Sequence, residues 1–245
     1  MNFQEETEDR IDANSRNGAM KKAADDFMHA SIQARYSYNF SWLGRPIIQY
    51  PQDIVAMQEI IFRVQPQLII ETGIAHGGSL IFSAAMLELN AACGGPKDAQ
   101  VIGIDIDIRA HNRAAIEAHP MFKRITLLEG SSLAPDIIEQ ARRAAIGKDR
   151  VLVSLDSNHT HEHVLGELNA YAPLCTVGSY CVVFDTIVEH VPKSFYPDRP
   201  WGPGNNPKSA AKEFLSSHPE FEVDRRVDQK LLITVSPDGF LRRIL

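Results

Sequence analysis

Five short, continuously apolar runs set the terms for this chain: 67–71 (QLIIE), 101–105 (VIGID), 124–129 (RITLLE), 151–155 (VLVSL) and 180–184 (YCVVF). Each is too short for a buried helix, and none alternates apolar with polar as a half-exposed strand would. Between them lie helix-like stretches at roughly 78–92, 109–118, 134–146 and 161–172. Strands apolar on both faces, alternating with amphipathic helices, specify a mostly parallel sheet covered on both sides. The fold class is therefore α/β, Rossmann-like and doubly wound. A chain of 245 residues supports one such core with small additions.

The flanks read differently. The first twenty residues are polar and charged and are expected to be poorly ordered. A helical pattern follows in "AADDFMHASIQ", and residues 1–40 are read as a partly helical extension ahead of a catalytic domain at 41–245. The aromatic segment Tyr36 to Trp42 would pack over a ligand or on a partner, so a homo-oligomer stays open. Asp53 is placed to cap a helix presenting Ile54, Met57, Ile60 and Ile61 on one face. The stretch "HVPKSFYPDRPWGPGNNP" carries five prolines and two glycines and reads as a long loop over 190–207. After a helix at about 207–217, "FEVDRRV" and "KLLITVSPDGFLRRI" look like a closing hairpin with a Pro-Asp-Gly turn.

Composition removes several function classes. A formal charge of −6 argues against nucleic acid or anionic membrane as a partner. No run of about 18 apolar residues offers a membrane span. Cys93, Cys175 and Cys181 are an odd, scattered set that forms no disulfide or zinc framework, which points to a reducing cytoplasm.

The chemistry concentrates after the strands. "LIIETGIAHGGSL" is a strand ending in Glu71, a turn containing Gly73, Gly77 and Gly78, then a helix beginning near Ser79. This is a nucleotide-type site, since ligands of open α/β sheets sit beyond the strands' carboxyl ends. The spacing fits neither G-x-G-x-x-G nor a phosphate loop, and no lysine follows. A Glu at the strand end repels pyrophosphate and suits a ligand with an ammonium group and hydroxyls. S-adenosylmethionine is such a ligand. Asp105, ending the second strand, suits ribose hydroxyls, a feature that fits NAD equally well. Both acids would also serve as plain turn or helix caps. The Gly130-Ser131-Ser132 turn is a candidate adenine wall or a helix N-cap.

Asp156 and Asp185 end the fourth and fifth strands. Two carboxylates side by side suit a divalent cation such as Mg²⁺, which lowers the pKa of a substrate hydroxyl. His159 is the candidate base. His161 and His163 complete an H-x-H-x-H run that would suit zinc or iron only if all three faced one side, and this segment opens a helix.

Together, "WLGRPIIQYPQDIVAMQEII", "ETGIAHGGSL", "VIGIDIDIR", "EGSS", "LDSNHTHEHVLGELNAYAPLCTVGSYCVVFDT", "PWGPGNNP" and "PDGFLRR" resemble the cephalosporin hydroxylase-type family. Its members are class I S-adenosylmethionine-dependent O-methyltransferases acting on sugars and natural products. The resemblance spans roughly residues 40 to 243. It implies a seven-stranded sheet with a reversed last strand. It implies a cofactor pocket lined by Glu71, Gly73, Ser79, Asp105 and Ser132; the turn and the fourth strand add Gly78 and Asp156. A more distant similarity to catechol O-methyltransferase puts Asp156 and Asp185 at metal-ligand positions and His159 at the position of the base. Phe184 and Thr186 stand where further metal ligands are expected, and Asn158 where relatives often carry an acid. His159 or Thr186 would fill the gap, or the histidine acts alone as base.

The reading is an S-adenosylmethionine-dependent O-methyltransferase with a sugar, glycan or natural-product acceptor. Its alternatives are an oxidoreductase or hydroxylase using nicotinamide or a His-carboxylate metal site, and a silent cofactor-binding subunit.

Overall fold

The computed structural model describes residues 2–245. At its centre is a seven-stranded sheet built from β3 (Leu68–Thr72), β4 (Gln100–Asp105), β5 (Ile125–Glu129), β6 (Val151–Leu155), β7 (Tyr180–Val183), β8 (Phe221–Val223) and β9 (Phe240–Arg243). Their spatial order is β5-β4-β3-β6-β7-β9-β8. All neighbours pair in parallel except β9, which runs antiparallel to β7 and β8. The expected reversed last strand is therefore present, inserted one place in from the edge.

The strands are apolar throughout because both faces are covered. Alternate residues enter opposite cores: Ile69, Val101, Leu152, Val182 and Phe240 pack with α3 (Pro51–Val64) and α4 (Gly78–Ala92). Ile70, Ile102, Val153, Val183 and Leu241 pack with α6 (Pro135–Ala145), α7 (His161–Tyr171) and α8 (Pro207–Ser217). The period of two along each strand thus serves two cores rather than one core and solvent. The connection α5 (Ala110–Glu117) buries Ile116 on the first of these faces.

The flanks depart from expectation. Residues 3–33 are ordered as two helices, α1 (Phe3–Arg16) and α2 (Gly18–Gln33). Polar composition does not prevent this, because the caps and the charges are both used. Asn2 and Glu5 form a reciprocal capping box, and Asn17 caps α2 through Ala19 and Met20. Arg226 then pairs with Glu8 and Asp12, tying α1 to the C-terminal part of the chain. Few apolar residues are needed: Ile11, Ala24 and Met28 are the buried ones. A small antiparallel hairpin of β1 (Phe40–Trp42) and β2 (Arg45–Ile47) follows. Leu43 and Gly44 turn it, both at positive φ. It lies on α4, with Trp42 edge-on to Phe82 at 4.9 Å.

The closing hairpin is also revised. β8 and β9 do pair, but "KLLITV" is not a strand. Asp224 caps a short helix, α9 (Arg225–Leu231), and the chain then turns at Leu232 with φ 58°. The expected Pro-Asp-Gly turn is present and leads into β9, with Gly239 N donating to Ser236 O at 2.8 Å. What holds the irregular 232–236 segment is Asp53, from the first turn of α3. Its carboxylate accepts from Thr234 Oγ1 and from Val235 N at 3.0 Å. Asp53 therefore does not cap its helix: Tyr50 is the N-cap residue, without a side-chain cap bond, and the Asp53 carboxylate is spent on a distant loop instead. Among the described residues no helix is long and apolar enough to cross a membrane.

Asp53 is fully buried, and desolvation pushes its pKa up to about 7, against the hydrogen bonds from Thr234 and Val235 and helped by the charge of Asp185. A carboxyl raised above its unfolded value of about 4 favours the folded state below that pH, and the contribution is lost as pH rises through about 7. Asp53→Asn keeps an acceptor for Val235 and removes the titration. The melting temperature of this variant relative to the parent is therefore expected to rise between pH 5 and pH 8, by several degrees for a change on the order of 1–2 kcal/mol. Parallel thermal-melt profiles across that range would show that the Asp53 carboxyl is protonated to the same extent in the folded and unfolded chain and is not raised by its burial.

Candidate active site

The register aligns the carboxyl ends of the parallel strands: Thr72 lies between Ile104 and Leu155, and Leu155 is level with Val183. The chain winds outward from β3 to β5, then returns to β6 on the other side, so the crevice opens where β3 and β6 part. Gly73 (φ +88°) passes Asp156 so closely that an added Cβ would meet the Asp156 carbonyl oxygen at 2.0 Å. Gly78 is fixed the same way by β2, since a Cβ there would meet the Pro46 carbonyl oxygen at 2.1 Å. Both glycines are thus required by chain packing as well as by any ligand.

A cavity of about 250 Å³ lies at this edge. The turn from Gly73 to His76, Ser79, Asp105, Asp156, His159 and Asp185 contribute to its lining, and 46–49 supplies the opposing wall. Three carboxylates face it, and no Lys or Arg is among the lining residues. A larger, open depression of about 660 Å³ lies at the opposite edge of the sheet, around Gln65, Cys93 and Arg150. None of the strand-end acids reaches it.

The predicted cofactor residues divide into two groups. Asp105 accepts from Ile74 N at 2.8 Å, Ala75 N at 3.3 Å and Asp107 N at 3.1 Å while facing the cavity. It is a turn cap and a cavity acid at once. Glu71 is buried behind the turn and reaches the cavity only through Ser79, whose hydroxyl it accepts; Ser83 donates to it at 3.5 Å. Burial raises the Glu71 carboxyl to about 7, with the two hydroxyls opposing the shift. Ser132 is buried and is not part of the lining; its Oγ meets His163 Nε2 at 3.1 Å.

Asp156, His159 and Asp185 come together, each offering one ligand atom, and these atoms lie within 4.8 Å of one another. His159 Nε2 is 3.0 Å from Asp185 Oδ2. Asp185 takes the left-handed conformation, φ 55°, at the turn after β7. The Asp156 carboxyl is pushed well above the usual range, first by desolvation and then by the charges of Asp185, Glu71 and Glu167. One imidazole nitrogen and two carboxylate oxygens are a donor set for a divalent cation, and their unneutralised charge is what a cation would relieve.

The H-x-H-x-H run is split. α7 starts at His161 after Thr160, so the three rings diverge. His161 meets Ser209 Oγ at 2.8 Å and Glu213 Oε2 at 3.0 Å. His163 meets Ser157 Oγ at 3.2 Å and Glu167 Oε1 at 3.4 Å, besides Ser132. A two-histidine facial triad is not assembled, which removes the support for an iron-hydroxylase site. Thr186 is fully buried and donates to Pro237 O at 2.8 Å, and Phe184 is buried in the core. Of the two residues considered for the missing ligand, His159 lies within reach of Asp156 and Asp185, and Thr186 is committed to the Pro237 carbonyl.

The 190–207 segment is a tethered loop that does not line the cavity. Lys193 Nζ holds the carbonyls of Arg199 and Trp201, and Glu189 accepts from Gly204 N and Asn206 Nδ2. Trp201 packs edge-on to His159 at 4.8 Å, and Phe195 faces His29 of α2 at 6.0 Å. Burial, then the charge of Asp185, raises the Tyr196 phenol. None of these three rings is in the cavity lining. The aromatic at its mouth is Tyr38, 60% exposed. Sequence reasoning marked the Tyr36–Trp42 segment but did not single out this ring.

The profile of the Rhamnosyl O-methyltransferase/CmcI family matches residues 34–244. The chain is similar to a rhamnosyl O-methyltransferase of Mycobacterium leprae, 30% identical over 204 residues, covering 83% of this chain and 82% of that protein. It is likewise similar to one of Mycobacterium bovis, 32% identical over 195 residues, covering 78% and 73%. Among solved structures, CmcI with magnesium and S-adenosylmethionine aligns with a TM-score of 0.58 at 20% identity, covering 85% of this chain and 78% of that one. TomG of Streptomyces achromogenes, an O-methyltransferase in complex with S-adenosylmethionine, aligns at 0.53 and 18%, covering 84% and 81%. The last two likenesses establish the fold, and the profile and the relatives establish the family. The chain belongs to the Rhamnosyl O-methyltransferase/CmcI family and is an S-adenosylmethionine-dependent O-methyltransferase.

Proposed function

We propose that the 250 Å³ cavity receives S-adenosylmethionine and that the acceptor is a sugar or glycoside hydroxyl presented to Asp156, His159 and Asp185. The observation that carries this reading is the cavity's charge: three carboxylates line it and no Lys or Arg does. That field suits a ligand with a sulfonium and an ammonium group, and it opposes the pyrophosphate of a nicotinamide cofactor. Bound there, S-adenosylmethionine supplies an electrophilic methyl group.

The chain's residues would do the rest. Asp105 accepts the ribose hydroxyls. Gly73, Gly78 and Ser79 form the floor for the methionine part, with Glu71 orienting Ser79, and Asp156 faces the ammonium. Ser132 enters this reading indirectly, through His163, which also contacts the cavity residue Ser157. Ile106, next to Asp105 and 74% exposed, offers an apolar wall for the adenine. His159 accepts the proton of the acceptor hydroxyl, and Asp185, at 3.0 Å, orients the ring and stabilises its charged form. In an alternative, cation-loaded state, Asp156, His159 and Asp185 would hold a divalent cation that supplies Lewis-acid activation of that hydroxyl in place of the imidazole base. The sugar class follows the names of the mycobacterial relatives. The cytoplasm, absence of nucleic-acid partners and a possible homo-oligomer stay part of this proposal; the three free cysteines support the first.

Calorimetric titration with S-adenosylhomocysteine tests the pocket. Micromolar binding is expected, weakened about tenfold or more by Asp105→Ala, and NADH should give no heat. A protein that binds neither would sink the proposal.

The chemistry is tested separately with a rhamnoside acceptor. His159→Ala should lower kcat by roughly 10²-fold or more and leave the affinity for S-adenosylhomocysteine within about threefold. Chelation should slow the parent enzyme, Mg²⁺ or Mn²⁺ should restore it, and Asp185→Asn should lose that restoration. Full activity in chelator, together with an inactive His159→Ala variant, would assign His159 as an unassisted base.

A further inference from the structure

The turn that the cofactor would rest on carries strain that its own sequence does not explain. Ala75 sits at φ 45°, a region that disfavours a residue with a Cβ. Asp105 fixes one side of the turn through the Ile74 and Ala75 N–H groups. The other side is held from outside the sheet. Arg45, on β2 of the N-terminal hairpin, donates to the His76 carbonyl from Nε at 3.0 Å and from Nη2 at 2.6 Å. The same Nη2 donates to Asn112 Oδ1 at 3.0 Å. Asn112, buried on α5, in turn donates from Nδ2 to the Ala75 carbonyl at 3.0 Å. Both carbonyls at the tip are thus taken by partners that do not line the cavity.

The hairpin itself is well placed to transmit this hold. Trp42 packs on Phe82, His119 Nε2 meets the Leu43 carbonyl at 3.1 Å, and the Pro46 carbonyl abuts Gly78. The residues directly after Arg45, 46–49, are the opposing wall of the cavity. One guanidinium therefore joins the two walls. Its planar fork matters, because a lysine ammonium offers no such paired donation.

We infer that Arg45 and Asn112 are positioning residues that hold the 73–76 turn in its ligand-binding shape and lock it to the 46–49 wall, so that donor affinity is set in part by the N-terminal hairpin. This rests on the reading of the cavity as the S-adenosylmethionine site. A turn held in its bound conformation before the ligand arrives loses less entropy on binding, and releasing it lowers affinity without removing a ligand contact.

The test compares Arg45→Ala, Arg45→Lys and Asn112→Asp with Phe221→Ala, which loosens the core at the edge strand β8 and touches neither the hairpin nor the turn. Dissociation constants for S-adenosylhomocysteine come from calorimetry, and melting temperatures are taken on the same samples. The three turn-directed variants should weaken binding about tenfold or more, and Arg45→Lys should fail to restore it. Phe221→Ala should lower the melting temperature at least as far while weakening binding by less than about threefold. With the rhamnoside acceptor, Arg45→Lys should raise the KM for S-adenosylmethionine while kcat at saturating donor stays within about threefold. Unchanged affinity in Arg45→Lys and Asn112→Asp, or losses that track melting temperature equally in all four variants, would overturn the inference and leave the pocket assignment standing. No binding by the parent protein would overturn the pocket assignment and this inference with it.

Discussion

Gly73 and Asp156 press together where β3 and β6 part, and the rest of the site depends on that contact. A side chain on Gly73 would meet the Asp156 carbonyl at 2.0 Å, so the strand ends could not lie level. Because they do, acids from β4, β6 and β7 share one rim. Glu71 and Asp53 sit just beneath it, each with its pKa pushed up to about 7 by burial. A protein gathers so much like charge, with no Lys or Arg in the lining, only against the tendency of burial to neutralise it. What relieves such a site is a cationic occupant. Ligand binding and fold stability are then linked, since an occupant that binds only the folded chain stabilises it.

The sheet was legible because its signal is local and repeated. A continuous apolar run of five residues between amphipathic helices has few other meanings in a chain of this length. The misread segments are those where a distant partner decides. "KLLITV" has the composition of a strand, yet Thr234 and Val235 are taken by Asp53, 181 and 182 residues away in the chain. Once those groups are satisfied there, a regular strand from Lys230 has nothing to pair with. The first sixteen residues are polar, but Arg226 supplies the partner that makes a helix of them worthwhile. Neither pairing leaves a trace in local composition.

The candidate site divides along the same line. Asp105, Asp156 and Asp185 follow strands directly, so topology alone brings them to one edge. His159 was placed by its three-residue distance from Asp156. The divergence of His161 and His163 from it was legible as well, because a helix starting after Thr160 turns successive side chains about 100° apart. Arg45 was not legible: its bonds to His76 and Asn112 span 31 and 67 residues. A lone arginine before a proline in a three-residue strand gives no sign of them. The strain at Ala75, which calls for such support, appears only in the structure, where its φ is 45°.

The departures from the family pattern acquire a physical account in the same terms. The resemblance led to an expectation of metal ligands flanking Asp185 on the fifth parallel strand, where this chain has Phe184 and Thr186. Both side chains are spent elsewhere, Phe184 in the core and Thr186 on the Pro237 carbonyl. On the proposed reading the third donor would come instead from His159, in the loop after the neighbouring strand, packed against Trp201 and paired with Asp185. Moving a ligand from β7 to the loop after β6 exchanges an anionic or amide oxygen for a neutral nitrogen that can also carry a proton. The same residue is then available as cation ligand or as base. Those two roles exclude each other at one nitrogen, because a lone pair given to a cation cannot accept a proton. On the proposed reading, cation binding by His159 and general-base catalysis by it would therefore be competing states of one imidazole.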